Sequence, residues 1–162
     1  MLVEVYVDGA SRGQGTEVMG EASCGIVIYK NRKLIGSFAR GLGKRTNNEA
    51  EYEAVLNAIM MCWAADLQDP IIYSDSKLVV NQVNGSWSCD TVELLPYLIT
   101  IQDIREVFRF RLQHVPRREV NNADWLANEF LDKLSERMGI IPKKKRRLSK
   151  GKLPDDNTTQ IA

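Results

Sequence analysis

An aspartate inside a predicted buried strand constrains the fold of this chain more than any other feature. Val3, Val5 and Val7 alternate with polar or aromatic residues, a period of two that predicts a strand with one buried face. Asp8 continues that strand, and small turn residues follow it. A carboxylate within a sheet loses hydration, which is unfavourable unless a nearby charge compensates it. A divalent cation held by several acids would supply that compensation, so we expect other acids to converge on Asp8.

Three further acids stand at the ends of predicted elements. Glu51 lies near the start of a helix that begins at Thr46, and it lies on the inward side because Val55 follows at i+4. Asp75 directly follows a short strand, and Asp124 lies in the first turn of the last helix, where an acid alone is ordinary. Such hard oxygen ligands suit Mg²⁺ or Mn²⁺. Two of these ions about 4 Å apart can activate water and stabilise the leaving 3′ oxygen of a phosphodiester.

Periodicity and turn residues predict the order strand, strand, strand, helix, strand, helix, helix, strand, helix. After the first strand, the predicted strands are 22–29, 34–40, 71–74 and 109–114, and the predicted helices are 46–65, 76–84, 94–108 and 122–138. Residues 41–45 are predicted to be a glycine-rich, basic connection, and 115–120 a polar loop. This order predicts an α/β fold with a five-stranded mixed sheet, three antiparallel strands and then two parallel additions, with helices on both faces.

Apolar residues define a predicted buried stripe on two of these helices. The stripe of the first long helix contains Val55, Leu56, Ile59, Met60 and Trp63. The stripe of the last helix contains Trp125, Leu126, Phe130, Leu131 and Leu134. Glu49 and Glu53 fall outside the first stripe, so we expect both to face solvent.

The chain length predicts one folded domain, over 1–141, and the loss of hydrophobic periodicity beyond Pro142 predicts a basic, flexible tail over 142–162. Seven of the 22 basic residues lie within 143–152, which leaves a net charge of −4 on residues 1–142. No apolar run is as long as a membrane span, and three widely spaced cysteines indicate reduced thiols. We therefore expect a cytoplasmic protein without membrane contact. The tail is also typical of a nuclear import signal, which would place a eukaryotic protein in the nucleus.

Four sequence blocks carry the acids, and together they resemble type 1 ribonuclease H. The blocks are 6–13, 46–52, 73–76 and 114–127, in the order found in the family. One Asp-Gly pair after a strand would be weak evidence, whereas four blocks that each carry an acid are strong evidence. The resemblance implies a ribonuclease H-like catalytic domain over 1–141 in which four acids bind Mg²⁺ or Mn²⁺, two ions in the substrate complex. These acids are Asp8, Glu51, Asp75 and Asp124.

The reaction that the resemblance implies is endonucleolytic hydrolysis of the RNA strand in an RNA–DNA hybrid, which leaves 5′-phosphate and 3′-hydroxyl ends. Two departures place the chain with compact, archaeal-like members. Residues 86–93 are too few and not basic enough to form the basic protrusion of many bacterial relatives. Arg117 stands where those relatives carry a histidine that assists proton transfer or product release, which implies a catalytic role for Arg117. His114 is the alternative, although a lone histidine at a strand end is more often structural.

The resemblance also implies which residues contact the hybrid. Asn47 and Asn48 match positions that sense 2′-hydroxyl groups, and a helix-capping role is equally natural for them. Trp87 resembles an aromatic wall for the DNA sugars, with simple packing as an even alternative. Lys44 and Thr46 resemble a pocket for a DNA-strand phosphate. The remaining implied contacts are Gly9, Ser11, Arg12 and Asn81.

Three functions remain open from the sequence. The first is a metal-dependent hybrid nuclease, the second is a nuclease of the same fold that also cuts double-stranded RNA, and the third is a non-catalytic hybrid-binding module. The presence of all four acids argues against the third. We predict a monomer whose basic tail adds modestly to hybrid affinity and does not affect which strand is cut.

Overall fold

Five strands and four helices form the part of the chain that the structure describes. This structure is a computed structural model, and it describes residues 1–15 and 18–139. The strands are β1 (Val3–Ser11), β2 (Gly20–Lys30), β3 (Lys33–Arg45), β4 (Ile71–Ser74) and β5 (Arg111–His114). The helices are α1 (Asn47–Ala64), α2 (Lys77–Val83), α3 (Leu95–Arg105) and α4 (Asn121–Arg137). A 3₁₀ turn, Arg117–Val120, precedes α4 within the predicted polar loop.

The strands form one mixed sheet in the order β3-β2-β1-β4-β5. β2 pairs antiparallel with both β1 and β3, whereas β4 pairs parallel with β1 and β5 pairs parallel with β4. Parallel neighbours require a crossover connection, and α1 supplies the one that leads into β4. The sheet confirms the predicted three antiparallel strands followed by two parallel additions.

Helices cover both faces of this sheet, as predicted. α1 packs on one face of β1 and β2, and α4 packs on the other face against β1, β2 and β3. α2 and α3 pack beside α1 and close the first layer. The core under α1 contains large side chains with almost no exposed surface, among them Tyr52, Ile59, Ile72 and Ile101.

Two glycines allow the helices to lie directly on the sheet beside Asp8. A Cβ atom on Gly9 would lie 2.5 Å from the backbone nitrogen of Glu51 in α1. A Cβ atom on Gly25, the β2 residue paired with Asp8, would lie 3.1 Å from the Cα atom of Ala123 in α4 and closer still to its carbonyl group. Any other residue at either position would push a helix away from the sheet.

The buried face of α1 differs from the predicted stripe. Val55 and Ile59 are buried, but Met60 and Trp63 are exposed. Small residues face the sheet instead, namely Ala50, Ala54, Ala58 and Cys62. Because their side chains are short, the helix can approach β1 closely, and the larger apolar residues are turned to its side.

Glu53 is also less exposed than predicted. Its Oε1 atom accepts hydrogen bonds from Arg45 Nε and from the Tyr97 hydroxyl group, both at 3.3 Å. Glu49 is half-buried, and the Tyr97 hydroxyl group lies 3.4 Å from its Oε2 atom. The expectation that both acids face solvent is therefore wrong, because Tyr97 of α3 packs over the first turns of α1.

Several element boundaries differ from the prediction because pairing and burial extend beyond local signals. Residues 41–45, predicted to be a connection, are the end of β3 and pair with β2 as far as Gly20 opposite Arg45. α3 ends at Arg105 and β5 begins at Arg111, so that 106–110 is a connection. Phe108 and Phe110 are buried in it, which explains the apolar signal there.

Small residues also form much of the inner face of α4. Ala123, Ala127, Asn128 and Leu131 are buried. Trp125, Leu126, Phe130 and Leu134, which were predicted to lie in the buried stripe, are only half-buried. Because α4 lies so close to the sheet at Gly25, only small side chains fit between them, and the larger side chains lie along the sides of the helix.

Among the described residues, no helix combines the length and the apolar character needed to cross a membrane. The predicted tail, 142–162, and the last residues of the predicted domain lie outside the described residues.

Candidate active site

Three acids from different elements meet beside the central strand β1, at the carboxyl end of β4. Asp8 lies in β1, Glu51 lies in α1, and Asp75 directly follows β4. One carboxylate oxygen from each lies within 4.8 Å of the other two. Asp8 and Glu51 are buried, with 4% and 8% of their surface exposed, and Asp75 is half-buried.

Strand register and a glycine bring these acids together. β1 and β4 pair in parallel with Tyr6 opposite Tyr73, so Asp8 and Asp75, each two residues further on, lie side by side. The absence of a side chain at Gly9 then allows α1 to place Glu51 against the same point of β1. The acids are far apart in sequence, and only the sheet order and the helix packing set their distances.

Burial and mutual repulsion raise the pKa values of two of these acids. The pKa of Glu51 is raised from 4.5 to about 8, chiefly by burial and also by the charge of Asp75. Hydrogen bonds to Glu51 and the positive charge of Arg117 oppose it. Burial, followed by the charge of Glu51 and a hydrogen bond with Asp124, raises the pKa of Asp8 well above its ordinary value. Carboxylates this close cannot all ionise without a compensating positive charge.

The three carboxylates fit a divalent cation. Two buried carboxylate oxygens, Glu51 Oε2 and Glu53 Oε2, have no hydrogen-bond partner among the described residues, and only Glu51 belongs to the group of three acids. Such an atom is unusual because buried polar atoms are nearly always paired. Each acid offers hard oxygen atoms, the ligands that Mg²⁺ and Mn²⁺ prefer. A cation among them would offset the repulsion and provide the missing partner of Glu51.

Asp124 lies beside the three-acid cluster and next to Asp8. Its carboxylate shares a hydrogen bond with Asp8, one of the causes of the raised pKa of that residue. Its Oδ1 atom accepts hydrogen bonds from Arg117 Nη2 at 3.2 Å and from Asn128 Nδ2 at 3.1 Å. The sequence grouped four acids, whereas the structure places three within mutual ligand distance and holds Asp124 at the side through two neighbours.

The guanidinium group of Arg117 faces the acids from the turn before α4. Burial lowers the pKa of Arg117, but the charges of Asp124 and of the neighbouring acids outweigh this effect and raise it. His114 is the last residue of β5, is exposed and lies opposite Ser74 in the sheet. Arg117 thus contacts the acids through Asp124.

Thr46, and neither of the two asparagines, caps α1. Its hydroxyl group accepts a hydrogen bond from the Glu49 N–H group at 3.2 Å, and Glu49 Oε1 accepts one from the Thr46 N–H group at 3.0 Å. Asn47 and Asn48 are the first two residues of α1. Their side chains are half-buried and form no hydrogen bonds within the described part of the chain. Their amides are thus available to a ligand.

The other predicted contacts near β1 have structural partners. Ser11 Oγ donates a hydrogen bond to the Arg45 carbonyl oxygen at 2.8 Å, which ties β1 to the end of β3. Arg12 forms an ion pair with Asp132 at 2.6 Å, which ties the same strand to α4. Lys44 forms an ion pair with Glu21 at 3.7 Å, and 69% of its side chain remains exposed. The exposed side chain of Lys44 is therefore better placed to contact a ligand than the side chains of Ser11 and Arg12.

Trp87 lies in the loop after α2 with 50% of its surface exposed. Asn81 shapes this loop, because its carbonyl oxygen accepts hydrogen bonds from the N–H groups of Ser86 and Trp87 at 2.8 and 3.1 Å. The Asn81 side chain donates to the Lys77 carbonyl oxygen within α2. The exposed half of the Trp87 surface can contact a ligand, whereas the Asn81 side-chain amide already donates a hydrogen bond within α2.

Two buried polar residues near the site were not predicted. Asn128 orients Asp124 by donating hydrogen bonds to both its backbone and side-chain oxygens. Its position four residues after Asp124, on a buried helix face, is the signal that could have identified it. Gln82 is buried among the valines of α2, and its polar character on that apolar face is the corresponding signal.

Residues 10–130 match the model of a family described as reverse transcriptase-like. The chain is 32% identical over 132 residues to Ribonuclease HI of Halobacterium salinarum, a match that covers 80% of this chain and 64% of that protein. The crystal structure of RNase H1 from the same archaeon has a TM-score of 0.76, covering 82% of this chain and 99% of that one. LC11-RNase H1, isolated from compost and solved with an RNA/DNA hybrid, has a TM-score of 0.73 at 28% identity, covering 82% of this chain and 98% of that one.

The mixed sheet, the helices on both of its faces and the acids beside its central strand define a ribonuclease H-like protein. The chain belongs to the type 1 ribonuclease H family, within the group described as reverse transcriptase-like. Residues 84–94 connect α2 to α3 without a further helix, as expected of its compact members. The chain spans less than two thirds of the first relatives it matches, 64% of the Halobacterium protein and 36% of a bifunctional protein of Mycobacterium tuberculosis.

Proposed function

We propose that this protein hydrolyses the RNA strand of RNA–DNA hybrids with two divalent cations, Mg²⁺ or Mn²⁺, and leaves 5′-phosphate and 3′-hydroxyl ends. The observation that carries the proposal is the cluster of Asp8, Glu51 and Asp75, in which a buried Glu51 oxygen has no protein partner among the described residues. An uncompensated group of buried acids is unfavourable, so its presence in a folded core argues for a bound cation.

Each acid has a distinct part in this proposal. Asp8, Glu51 and Asp75 would hold one cation, and Asp124, beside Asp8, would help to hold the second. Bound there, the cations would lower the pKa of the attacking water and stabilise charge on the leaving 3′ oxygen. Asn128 holds the Asp124 carboxylate in place, and Arg117 keeps a positive charge next to it.

The hybrid would lie across the ends of α1 and α2. The amides of Asn47 and Asn48 can both donate to and accept from 2′-hydroxyl groups, the feature by which RNA differs from DNA. The exposed ring of Trp87 offers a flat surface to the sugars of the DNA strand. The relative LC11-RNase H1 was solved with an RNA/DNA hybrid, which supports this substrate for a chain of the same fold.

A cleavage assay with three duplexes tests the proposal. We expect the protein to cut the RNA strand of a hybrid in Mg²⁺ or Mn²⁺, to leave duplex DNA intact and to lose activity in chelator. Asp8→Asn should abolish cleavage, because the central ligand loses its charge. Asp103→Asn is the matched control on the exposed face of α3, and it should behave as the wild type.

The outcomes of this assay separate the alternatives. Cutting of double-stranded RNA at a similar rate would favour the broader nuclease. Hybrid binding without cleavage in either metal would favour the binding module. Activity that survives Asp8→Asn, or that survives chelator, would contradict the metal mechanism.

A further inference from the structure

A buried glutamine connects α1 to the loop that carries Trp87. Gln82 has 7% of its surface exposed and lies on the α2 face otherwise formed by Val79, Val80 and Val83. Its Oε1 atom accepts a hydrogen bond from the Tyr52 hydroxyl group at 2.6 Å. Its Nε2 atom donates one to the Ser88 carbonyl oxygen at 3.1 Å.

The Tyr52 end of this connection is rigid. Tyr52 follows Glu51 in α1 and is completely buried. Its ring stacks on Tyr97 of α3, with the ring centroids 5.9 Å apart. The hydroxyl group therefore has a fixed position relative to the end of α1 that carries Asn47 and Asn48.

The other end of the connection holds the Trp87 loop from both sides. The carbonyl oxygen of Asn81 accepts from the N–H groups of Ser86 and Trp87, and the Gln82 amide donates to Ser88. Trp87 thus lies between anchored neighbours while half of its own surface remains exposed. These hydrogen bonds constrain the backbone that carries the ring and leave the ring accessible.

A buried glutamine at this position needs hydrogen-bond partners for both ends of its amide group. An apolar side chain of the same size would pack among the valines without needing partners, whereas a buried amide is unfavourable unless both its ends are paired. Both ends of Gln82 are paired, one with α1 and one with the loop. The residue therefore specifies one relative position of these two elements.

We propose that Gln82 is a positioning residue that fixes Trp87 relative to α1. It sets the spacing between the DNA-strand contact at Trp87 and the RNA-strand contacts at Asn47 and Asn48. This inference rests on the proposed function, because the spacing matters only if both elements bind one hybrid. The side-chain hydrogen bonds of Gln82 go to Tyr52 and Ser88 and not to the acids, so its role is one of positioning.

Steady-state cleavage of a hybrid by Gln82→Met tests the inference. This substitution keeps the side-chain volume and removes both hydrogen bonds. We expect KM to rise about three- to tenfold, the factor that corresponds to losing a buried hydrogen bond, with kcat within twofold of the wild type. Tyr52→Phe removes only one of the two hydrogen bonds and should therefore raise KM by a smaller factor. This variant replaces Gln82→Met in the test if Gln82→Met folds poorly.

Gln102→Met is the matched control. Gln102 Nε2 also donates to α2, to the Val83 carbonyl oxygen at 2.9 Å, but it makes no hydrogen bond to the Trp87 loop. The same substitution there should lower the Tm and leave KM unchanged. A KM increase of equal size in Gln102→Met would show a general loss of stability and overturn the inference.

A double-mutant cycle with Trp87→Ala separates positioning from other effects. If Gln82 acts through Trp87, then Gln82→Met should raise KM no further when the tryptophan is already absent. An undiminished increase in the double variant would overturn the inference. So would an unchanged KM in a folded Gln82→Met protein.

Hydrogen exchange provides a readout that does not depend on cleavage. Gln82→Met should increase amide exchange in residues 86–89 and leave α4 unchanged. Faster loop exchange in a protein whose wild type cleaves no hybrid would count against the proposed function alone. Unchanged loop exchange would overturn the role of Gln82, whatever the activity of the wild type.

Discussion

Glu51 is withdrawn from water because Gly9 leaves space for α1 to lie directly on β1. Its pKa is raised to about 8 for that reason first, and the charge of Asp75 adds to the rise. At the scale of single residues, the site therefore disfavours ionisation of Glu51, and a bound cation would favour it. Asp8 experiences the same combination of burial and neighbouring acids.

The variant Glu51→Gln, compared with the wild type in chelator, tests whether the pKa of Glu51 is raised in the metal-free protein. Between pH 4.5 and about 8 the folded protein holds a proton on Glu51 that the unfolded chain has released, so its stability falls as the pH rises through that range. Glutamine has no such proton. The Tm of Glu51→Gln should therefore fall less than that of the wild type between pH 5.5 and 8.

Glu136→Gln, at an exposed position of α4, is the control for that experiment and should follow the wild type. Parallel pH dependence of wild type and Glu51→Gln would show that Glu51 titrates normally. That result would remove the electrostatic argument for a cation at this acid.

At the scale of elements, α1 does most to assemble the site. Its N-terminal capping box defines where the helix begins, and its small residues allow it to lie on the sheet. The first turn then presents Asn47 and Asn48, and the second presents Glu51. A change that frays the first turn should therefore weaken substrate binding before it affects the acids.

Thr46→Ala is the corresponding prediction. It removes the capping hydroxyl group and should reduce the free energy of unfolding by about 1 kcal/mol, or lower the Tm by roughly 3 °C in a domain of this size. We also expect a higher KM for the hybrid with a smaller change in kcat. Tm and steady-state kinetics would be compared with Thr100→Ala.

Thr100 is a suitable control because it lies on the exposed side of α3, where its hydroxyl group donates a hydrogen bond to the Pro96 carbonyl oxygen. Its removal should change the Tm by less than half as much as Thr46→Ala. Equal effects of the two substitutions would show that the cap has no special role.

At the scale of the whole molecule, positive and negative charge are separated along the chain. Residues 1–142 carry a net charge of −4, and three of their acids are clustered beside β1. By contrast, seven basic residues lie within 143–152. A polyanionic substrate would be repelled by this body. Bound cations and the basic tail are the two features that would offset the repulsion.

Metal binding should stabilise the folded protein, because the ligands are assembled only in that state. At a cation concentration about 100 times its Kd, the expected gain is about 2.7 kcal/mol. The Tm should rise with added Mg²⁺ or Mn²⁺ in the wild type and in Asp103→Asn, and much less in Asp8→Asn. An equal rise in Asp8→Asn would place the bound cation elsewhere.

Removal of residues 143–162 should weaken hybrid binding in a salt-dependent way. Kd would be measured in chelator over a range of salt concentrations, and we expect the slope of log Kd against log salt to fall by about one for each phosphate that the tail neutralises. The strand that is cut should not change. Removal of 153–162 alone, which keeps the basic residues, is the control, and an unchanged slope in the longer deletion would contradict the prediction.

Much of the fold could be predicted because its signals are local. The alternation of Val3, Val5 and Val7 depends on the period of a strand, and the start of α1 depends on the capping chemistry of Thr46. Inner faces were harder to predict. Met60 and Trp63 are apolar and suitably spaced, yet alanines face the sheet, because the depth of helix packing depends on glycines in another element.

The sequence by itself determined the strand and helix order, the family of the chain and which acids are candidate metal ligands, because each of these depends on residue type and on short spacings. Only the tertiary structure decided that Asp8, Glu51 and Asp75 lie within 4.8 Å of one another while Asp124 is held beside them. It also decided that Gln82 bridges Tyr52 and the Trp87 loop. These distances follow from parallel register and close helix packing, which join residues that are distant in the chain.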